Sequence, residues 1–154
     1  MSRVQVVVLH GGSSRQRAAW AVVRRLTGPD TAVTAFFADS VPPGRPKRVA
    51  AYPVEPSPAP PRRNVARYLR WRSLQQEAHQ AAGDPDTDPL WARAIADERL
   101  REAISGADIV VAANWGAVPT AWQLRDLNPD ADIVLGPGEA LRRIERRRAG
   151  TSVQ

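Results

Sequence analysis

The stretch Ala107–Gly136, ADIVVAANWGAVPTAWQLRDLNPDADIVLG, decides the fold class of this sequence. It begins with the apolar run 109–113, which is short and rich in β-branched side chains, as in a strand covered on both faces. After Asn114-Trp115-Gly116 the apolar spacing becomes helical as far as Asn128-Pro129, and residues 133–135 predict another strand. A strand, a short helix and a second strand in this order predict a βαβ unit with parallel strands.

The beginning of the chain has the same order of predicted elements, a strand, a helix and a strand. Residues 4–9 are apolar except for Gln5, which predicts a buried strand, and a helical pattern then runs from Ser13 or Ser14 to Leu26. Residues 27–29, Thr-Gly-Pro, end the helix, and residues 31–37 predict a second strand. The chain therefore starts with β-α-β.

The middle of the chain is rich in proline over residues 40–63. We interpret this excursion as a stiff surface loop with a short edge strand over 48–52, and a ligand for a proline-recognising partner is the alternative. Helices are predicted over 64–82 and 89–104, and a basic terminal helix and tail over 139–154. The whole order predicts a single domain over 1–154: an open, mostly parallel, Rossmann-like α/β sheet with helices on both faces.

Composition limits the chemistry that the chain can carry out. The sequence has no Cys and only two, well-separated His, which excludes a thiolate site and predicts no metal site and no cofactor. The 22 Lys and Arg against 16 Asp and Glu give a net charge of +6, which permits anionic ligands. No apolar run has the length of a membrane span and no signal peptide is present, so we expect a cytoplasmic protein.

The turn after the first strand is the best candidate for binding phosphate. Paired glycines allow a ligand to approach the backbone, a helix start exposes amides, and hydroxyls and a guanidinium follow. The residues concerned are Gly11, Gly12, Ser13, Ser14 and Arg15. The spacing matches neither a dinucleotide fingerprint nor a P-loop, and a plain tight turn with a helix cap is the alternative.

Polar and aromatic residues also follow the other predicted strands. Asn114, Trp115 and Gly116 end the strand of the central stretch, where Trp115 is predicted to stack on a base or sugar. A role for Trp115 and Trp122 in the core or in an interface is the alternative. His10 ends the first strand as a candidate general base, and Asp39 follows the second as an acceptor for ribose hydroxyls.

Arginines concentrate in the terminal helix. We predict a contact with nucleic acid or another anionic partner there, or else a solvated helix end whose charges complement the helix dipole. The residues are Arg142, Arg143, Arg146, Arg147 and Arg148.

The stretch 88–136, DPLWARAIADERLREAISGADIVVAANWGAVPTAWQLRDLNPDADIVLG, resembles the end of the amino-terminal domain of actinobacterial GT-B glycosyltransferases, and VVVLHGG at 6–12 resembles its first strand and glycine loop. The resemblance covers the first and last thirds of the chain. It implies a Rossmann-like acceptor domain with Gly11 and Gly12 near the phosphates of a nucleotide sugar. It also implies a donor domain that is not in this sequence, so we expect a partner subunit that supplies one, a binding protein without activity, or a piece of a longer protein.

Residues 107–124 are also similar to nucleoside deoxyribosyltransferases, in which a helix with a glutamate nucleophile follows a strand. Gln123 stands at the position of that nucleophile, which argues against this activity. From the resemblance to GT-B glycosyltransferases and the candidate loops, we predict a glycosyltransferase-like domain that binds a nucleotide sugar, a nucleotide or a phosphorylated small molecule. The alternative is a non-enzymatic basic α/β module that binds nucleic acid or a protein partner.

Overall fold

The architecture is an open sheet of five parallel strands in the order β3-β2-β1-β4-β5, with helices on both faces. It is seen in a computed structural model that describes residues 3–11, 16–38, 40–54, 94 and 97–151. The strands are β1 Val4–His10, β2 Thr31–Phe37, β3 Val49–Pro53, β4 Ile109–Ala112 and β5 Asp132–Leu135. The α-helices in the described ranges are α1 Gln16–Leu26, α2 Glu98–Ser105, α3 Val118–Leu124 and α4 Gly136–Thr151. The predicted Rossmann-like fold class is confirmed.

Strand β1 is the centre of the sheet and divides the interior into two apolar layers. It pairs in parallel with β2 along its whole length and with β4 from Val6 to Leu9. Because successive strand side chains point to opposite faces, Val6 and Val8 pack with α1 and α4, while Val7 and Leu9 pack with α2 and α3. Helices on both faces explain why β1 reads as an almost unbroken apolar run.

The described part of the proline-rich excursion, residues 40–54, lies against α1 and ends in the edge strand β3. The indole nitrogen of Trp20 donates to the carbonyl oxygen of Pro43 at 2.9 Å, which ties the excursion to the helix. Pro53 is tolerated in β3 because an edge strand does not need every amide for pairing.

The helix predicted over 89–104 is interrupted at Asp97, so this prediction is wrong in its extent. Asp97 has extended backbone angles, and its carboxylate accepts from the amide of Leu100 at 3.1 Å, which caps α2. The apolar positions of the predicted helix shift by five residues between Ile95 and Leu100, and the interruption lies in that interval. The predicted helix over 64–82 lies outside the described residues.

Two further predictions are corrected in the last third of the chain. Helix α4 begins at Gly136, immediately after β5, and not at residue 139, because Gly136 adopts a φ of 73° that turns the chain from strand to helix. Trp122 does not share the buried face of α3. Ala121 and Leu124 face the strands, and Trp122 points outward with 59% of its surface exposed.

Candidate functional site

The loops after β1 and β4 meet at the point where the strand order of the sheet reverses. From β1 the chain continues outward through β2 and β3, and it returns to the other side of β1 with β4 and β5. The carboxyl ends of β1 and β4 are thus the switch point of the fold, the position where open α/β sheets bind their ligands. His10, Gly11 and Asn114 all lie there.

Asn114 joins the two loops by hydrogen bonds in both directions. The amide of Gly11 donates to Oδ1 of Asn114 at 3.0 Å, and Nδ2 of Asn114 donates back to the carbonyl oxygen of Gly11. The side chain of Asn114 does not cap the 3-10 turn that follows at Trp115–Ala117. The Asn114 amide therefore acts as a clamp between neighbouring strand ends, a structural role that its sequence position alone does not reveal.

The same two loops touch through their backbones. A methyl group added at Gly11 would lie 2.5 Å from the carbonyl carbon of Gly116, and one added at Gly116 would lie 3.1 Å from the carbonyl oxygen of Gly11. A Cβ atom essentially never lies as close as 2.5 Å to another heavy atom, so a side chain at Gly11 would push the two loops apart. Glycine at this position allows the loop after β1 to pack against the loop after β4. The sequence had predicted this glycine as a place for a ligand to approach.

His10 is the last residue of β1, the central strand of the sheet. It is buried, with 7% of its surface exposed, and its ring centroid lies 5.5 Å from that of Phe37. Burial of the imidazole lowers the pKa of His10 below its ordinary value, so the ring is neutral at pH 7. A neutral imidazole can accept a proton, which is the property that a general base needs.

Trp115 projects from the rim of the switch point with 78% of its surface exposed. It begins the 3-10 turn Trp115–Ala117, and the backbone of the turn is held by the amide of Ala117, which donates to the carbonyl oxygen of Asn114 at 3.1 Å. A large aromatic ring in solvent beside a crevice is available for stacking on a planar ligand.

The other residues predicted for this site lie outside the described residues. They are Gly12, Ser13, Ser14, Arg15 and Asp39. Helix α1 begins at Gln16, so four residues separate Gly11 from its first turn. Their roles in binding remain predictions.

The arginines of α4 form ion pairs with acids of the same chain. Arg147 contacts Asp108 at 3.3 Å and Asp132 at 3.2 Å, and Arg143 contacts Asp132 at 2.9 Å. Asp108 precedes β4 and Asp132 begins β5, so these pairs tie α4 to the amino ends of two strands. The switch point lies at the opposite, carboxyl ends of the strands.

Glu139 and Asp30 engage the remaining members of the basic cluster. Arg142 contacts Glu139 at 2.6 Å and Arg146 contacts it at 3.4 Å, while Arg148 reaches Asp30 at 3.5 Å. Hydrogen bonds from Arg142 and Arg143 hold the pKa of Glu139 below its ordinary value. The sequence predicted the positive charge of this helix but not the acidic residues that pair with it. The signal available was an aspartate at the start of each of β4 and β5.

A separate groove of about 350 Å³ lies between α2 and strands β1, β2 and β3. Its walls include Thr34, Tyr52 and Arg99, and the guanidinium of Arg99 stacks 4.8 Å from the centre of the Tyr52 ring. Of the residues predicted for ligand binding, those that the structure describes do not line this groove.

In the described part of the chain, no three His, Asp or Glu side chains are grouped so that they could hold a metal ion. No helix of that part has the length and apolar content needed to cross a membrane.

Comparison of the chain with protein-family models, with curated proteins and with solved structures finds no match. The resemblance to the amino-terminal domain of GT-B glycosyltransferases therefore stays a prediction.

Proposed function

We propose that this chain is a glycosyltransferase-like α/β domain that binds a nucleotide sugar, a nucleotide or a phosphorylated small molecule at the loops after β1 and β4. The observation that carries the proposal is the reciprocal hydrogen bonding of Gly11 and Asn114 at the switch point. These hydrogen bonds join the loop after β1 to the loop after β4. Open parallel sheets bind their ligands at the carboxyl ends of the strands beside the switch point.

Phosphate binding in this proposal falls to the residues that follow Gly11. The amide of Gly11 is already bonded to Asn114, so it is not the donor that a phosphate would use. The segment 12–15 precedes α1 in the sequence, and the first-turn amides and the positive end of a helix dipole favour an anion. Ser13 and Ser14 add hydroxyls, and Arg15 adds a guanidinium that can bind phosphate through two hydrogen bonds.

Trp115 supplies the stacking surface for the uncharged part of the ligand. Its 78% exposure leaves the indole free to cover a base or the apolar face of a sugar. Burial of one such ring face by a nucleobase stabilises a complex by roughly 1–3 kcal/mol.

If the domain transfers sugar, we propose His10 as the general base at this site. Its lowered pKa keeps the imidazole neutral at pH 7, and its burial restricts it to a hydroxyl held within hydrogen-bond reach. The acceptor hydroxyl gives its proton to His10 while its oxygen bonds to the anomeric carbon, and the nucleotide leaves with the electron pair of the broken bond. The resemblance also implies a donor domain, which would lie on a partner subunit or elsewhere in a longer protein.

A thermal-shift screen of the full chain against nucleotide sugars, nucleotides and sugar phosphates tests the proposal. A ligand at a hundred times its Kd stabilises the folded form by about 2.7 kcal/mol. We expect Trp115→Ala to weaken the best ligand about 5- to 150-fold. Leu127→Ala is the matched control, because Leu127 is 37% exposed and lies beyond the other end of α3. The proposal fails if no ligand of these classes shifts the melting temperature, or if both variants bind equally well.

The alternative function, a basic module that binds nucleic acid or a protein partner through α4 and the proline-rich excursion, gains no support from α4 itself. The arginines there are paired with Asp30, Asp108, Asp132 and Glu139, which reduces the net charge that the helix presents. This role of the basic helix remains a prediction.

A further inference from the structure

The exposed apolar surface of the described chain is concentrated in one short stretch. Four large apolar side chains are more than a third exposed, and all lie within residues 115–135: Trp115 at 78%, Trp122 at 59%, Leu127 at 37% and Leu135 at 45%. The two indoles together expose on the order of 300 Å². Exposed aromatic side chains of this size commonly mark a binding surface.

Trp115 and Trp122 form a stripe on the outer side of one helical run. The 3-10 turn Trp115–Ala117 continues directly into α3, and a spacing of seven residues returns to nearly the same side of a helix. The rise of such a run separates the two residues by roughly 12 Å along its axis. One ring lies at the mouth of the switch point, and the other lies two turns further away.

Arg125 stacks on the ring of Trp122. The guanidinium carbon of Arg125 lies 4.1 Å from the centre of its ring, which is a cation–π contact. More than half of the side chain is nevertheless in solvent. A planar group can therefore stack on the indole while the guanidinium remains on the other side or contacts a phosphate.

We propose that the tryptophan stripe binds single-stranded nucleic acid, with one base on Trp115 and a second base of the same strand on Trp122. This inference rests on the proposed function, because it extends the nucleotide site at the switch point outward along α3. Stacked bases rise 3.4 Å per nucleotide, so roughly 12 Å spans about three to four steps. A mononucleotide can contact only one of the two rings, whereas a longer strand reaches both.

The net charge of the whole chain favours this ligand over others that bind exposed tryptophan. The chain carries +6, so a polyanion is attracted and a second copy of the chain is repelled. Neutral ligands such as polysaccharides gain nothing from that charge. Aromatic rings next to arginine on a basic protein are the usual means of binding single strands without sequence preference.

One acidic residue next to the stripe opposes the phosphates. Asp126 is 83% exposed on its side chain, and its carboxylate lies 3.6 Å from the guanidinium of Arg125. Stacking, and not local charge, must therefore provide most of the affinity near Trp122. Removal of this carboxylate should strengthen binding, a gain that loss of folding cannot imitate.

Fluorescence anisotropy with labelled oligothymidylates of increasing length tests the proposal on the full chain. We expect the affinity to rise steeply between two and about five nucleotides, when a strand first spans both rings. Trp122→Ala should weaken a strand of about twelve nucleotides 5- to 150-fold, Trp122→Phe should retain most of the affinity, and Asp126→Asn should strengthen it about two- to fivefold. Leu135→Ala is the matched control, since it removes an exposed apolar side chain outside the stripe.

Several results would overturn the inference. One is equal affinity of Trp122→Ala and Leu135→Ala for the oligonucleotide, and another is equal binding of inorganic polyphosphate, which has charge but no bases. A third is a dimer in sedimentation that Trp122→Ala dissociates without changing oligonucleotide affinity, because the stripe would then be an interface between copies. A thermal shift with mononucleotides decides the proposed function separately, so a mononucleotide that binds while strand length has no effect rejects only the inference.

Discussion

Asn114 and Gly11 exchange two hydrogen bonds across the point where the strand order of the sheet reverses. Their positions differ by 103 residues in sequence, yet the pair fixes the distance between the two loops that form the candidate site. Because one side chain both donates and accepts, neither an aspartate nor an aliphatic residue can replace it fully.

Substitution of Asn114 tests this clamp. Asn114→Ala should lower the free energy of unfolding in urea by about 1–3 kcal/mol, because it leaves the amide and the carbonyl group of Gly11 without these partners. Asn114→Asp should be more harmful at pH 7, since a carboxylate cannot donate to that carbonyl oxygen. The defect of Asn114→Asp should shrink as the pH falls below about 4, when the carboxyl group regains a proton. Equal stability of both variants and the wild type would show that the clamp has no structural role.

Gly11 itself should not tolerate a side chain. A methyl group there would lie 2.5 Å from the backbone of Gly116, so one of the two loops must move. We expect Gly11→Ala to destabilise the fold by about 1–3 kcal/mol, as overpacking does in protein interiors, and to weaken ligands at the switch point. Gly150→Ala is the control, because a methyl group there meets nothing within 4 Å. Thermal unfolding of the two variants makes the comparison.

Alanine substitutions at Gly136 and Gly138 distinguish the cost of backbone strain from the cost of a side-chain clash. A methyl group at either position meets nothing within 4 Å, and both residues lie in the first turn of α4, but Gly136 has a φ of 73°. Gly136→Ala should therefore lower the free energy of unfolding by about 1–2 kcal/mol. Gly138→Ala should change it little or raise it by up to about 1 kcal/mol, because alanine favours helix. Equal effects of the two substitutions would contradict the strand-to-helix turn at Gly136.

Alanine substitutions at Arg147 and Arg146 compare an arginine of α4 that holds the fold together with one that is mostly in solvent. Arg147 is 35% exposed on its side chain and bridges Asp108 and Asp132, whereas the side chain of Arg146 is 63% exposed and contacts Glu139 at 3.4 Å. Arg147→Ala should cost about 1 kcal/mol of stability at low salt, and Arg146→Ala less than about 0.5 kcal/mol. High salt should reduce the difference, because these pairs are partly in solvent. Chemical denaturation at low and high NaCl measures it.

The burial of His10 predicts a loss of stability in mild acid. Its pKa is lowered in the folded chain, so the unfolded chain binds the proton more readily. The contribution of His10 is fully present above its unfolded pKa of about 6.5 and is lost as the pH falls through the folded value. His10→Gln should remove this part of the pH dependence. Titration of the histidine ring signals by NMR measures the folded pKa directly, and an ordinary value would reject the prediction.

Strands were the most predictable part of this chain. Strand β2 has the bounds predicted for it, Thr31–Phe37, because its alternating burial follows a β-rich sequence that begins after Gly28-Pro29. The edge strand β3 was predicted within one residue at each end, even inside a proline-rich segment. Periodicity and turn residues act locally, so the sequence carries them without knowledge of the rest of the fold.

Interactions between distant segments could not be predicted in the same way. Trp122 looked like a core residue because it is large and apolar, but the small residues Ala117 and Ala121 allow α3 to lie close to the sheet and leave the indole outside. The need for glycine at position 11 depends on Gly116, which lies across the switch point. The sequence placed Gly11, Asn114 and Trp115 on a common rim, whereas the clamp between two of them became visible only in three dimensions.

The central position of β1 restricts how this chain can vary in length. Neighbouring residues of the strand serve opposite apolar layers, so the insertion or deletion of a single residue between Val4 and His10 would exchange the contents of the two layers beyond it. It would also turn His10 to the other face of the sheet. Evolutionary changes in length are therefore expected to enter through the connections, and an engineered insertion inside β1 should be more harmful than one of equal size in the proline-rich excursion.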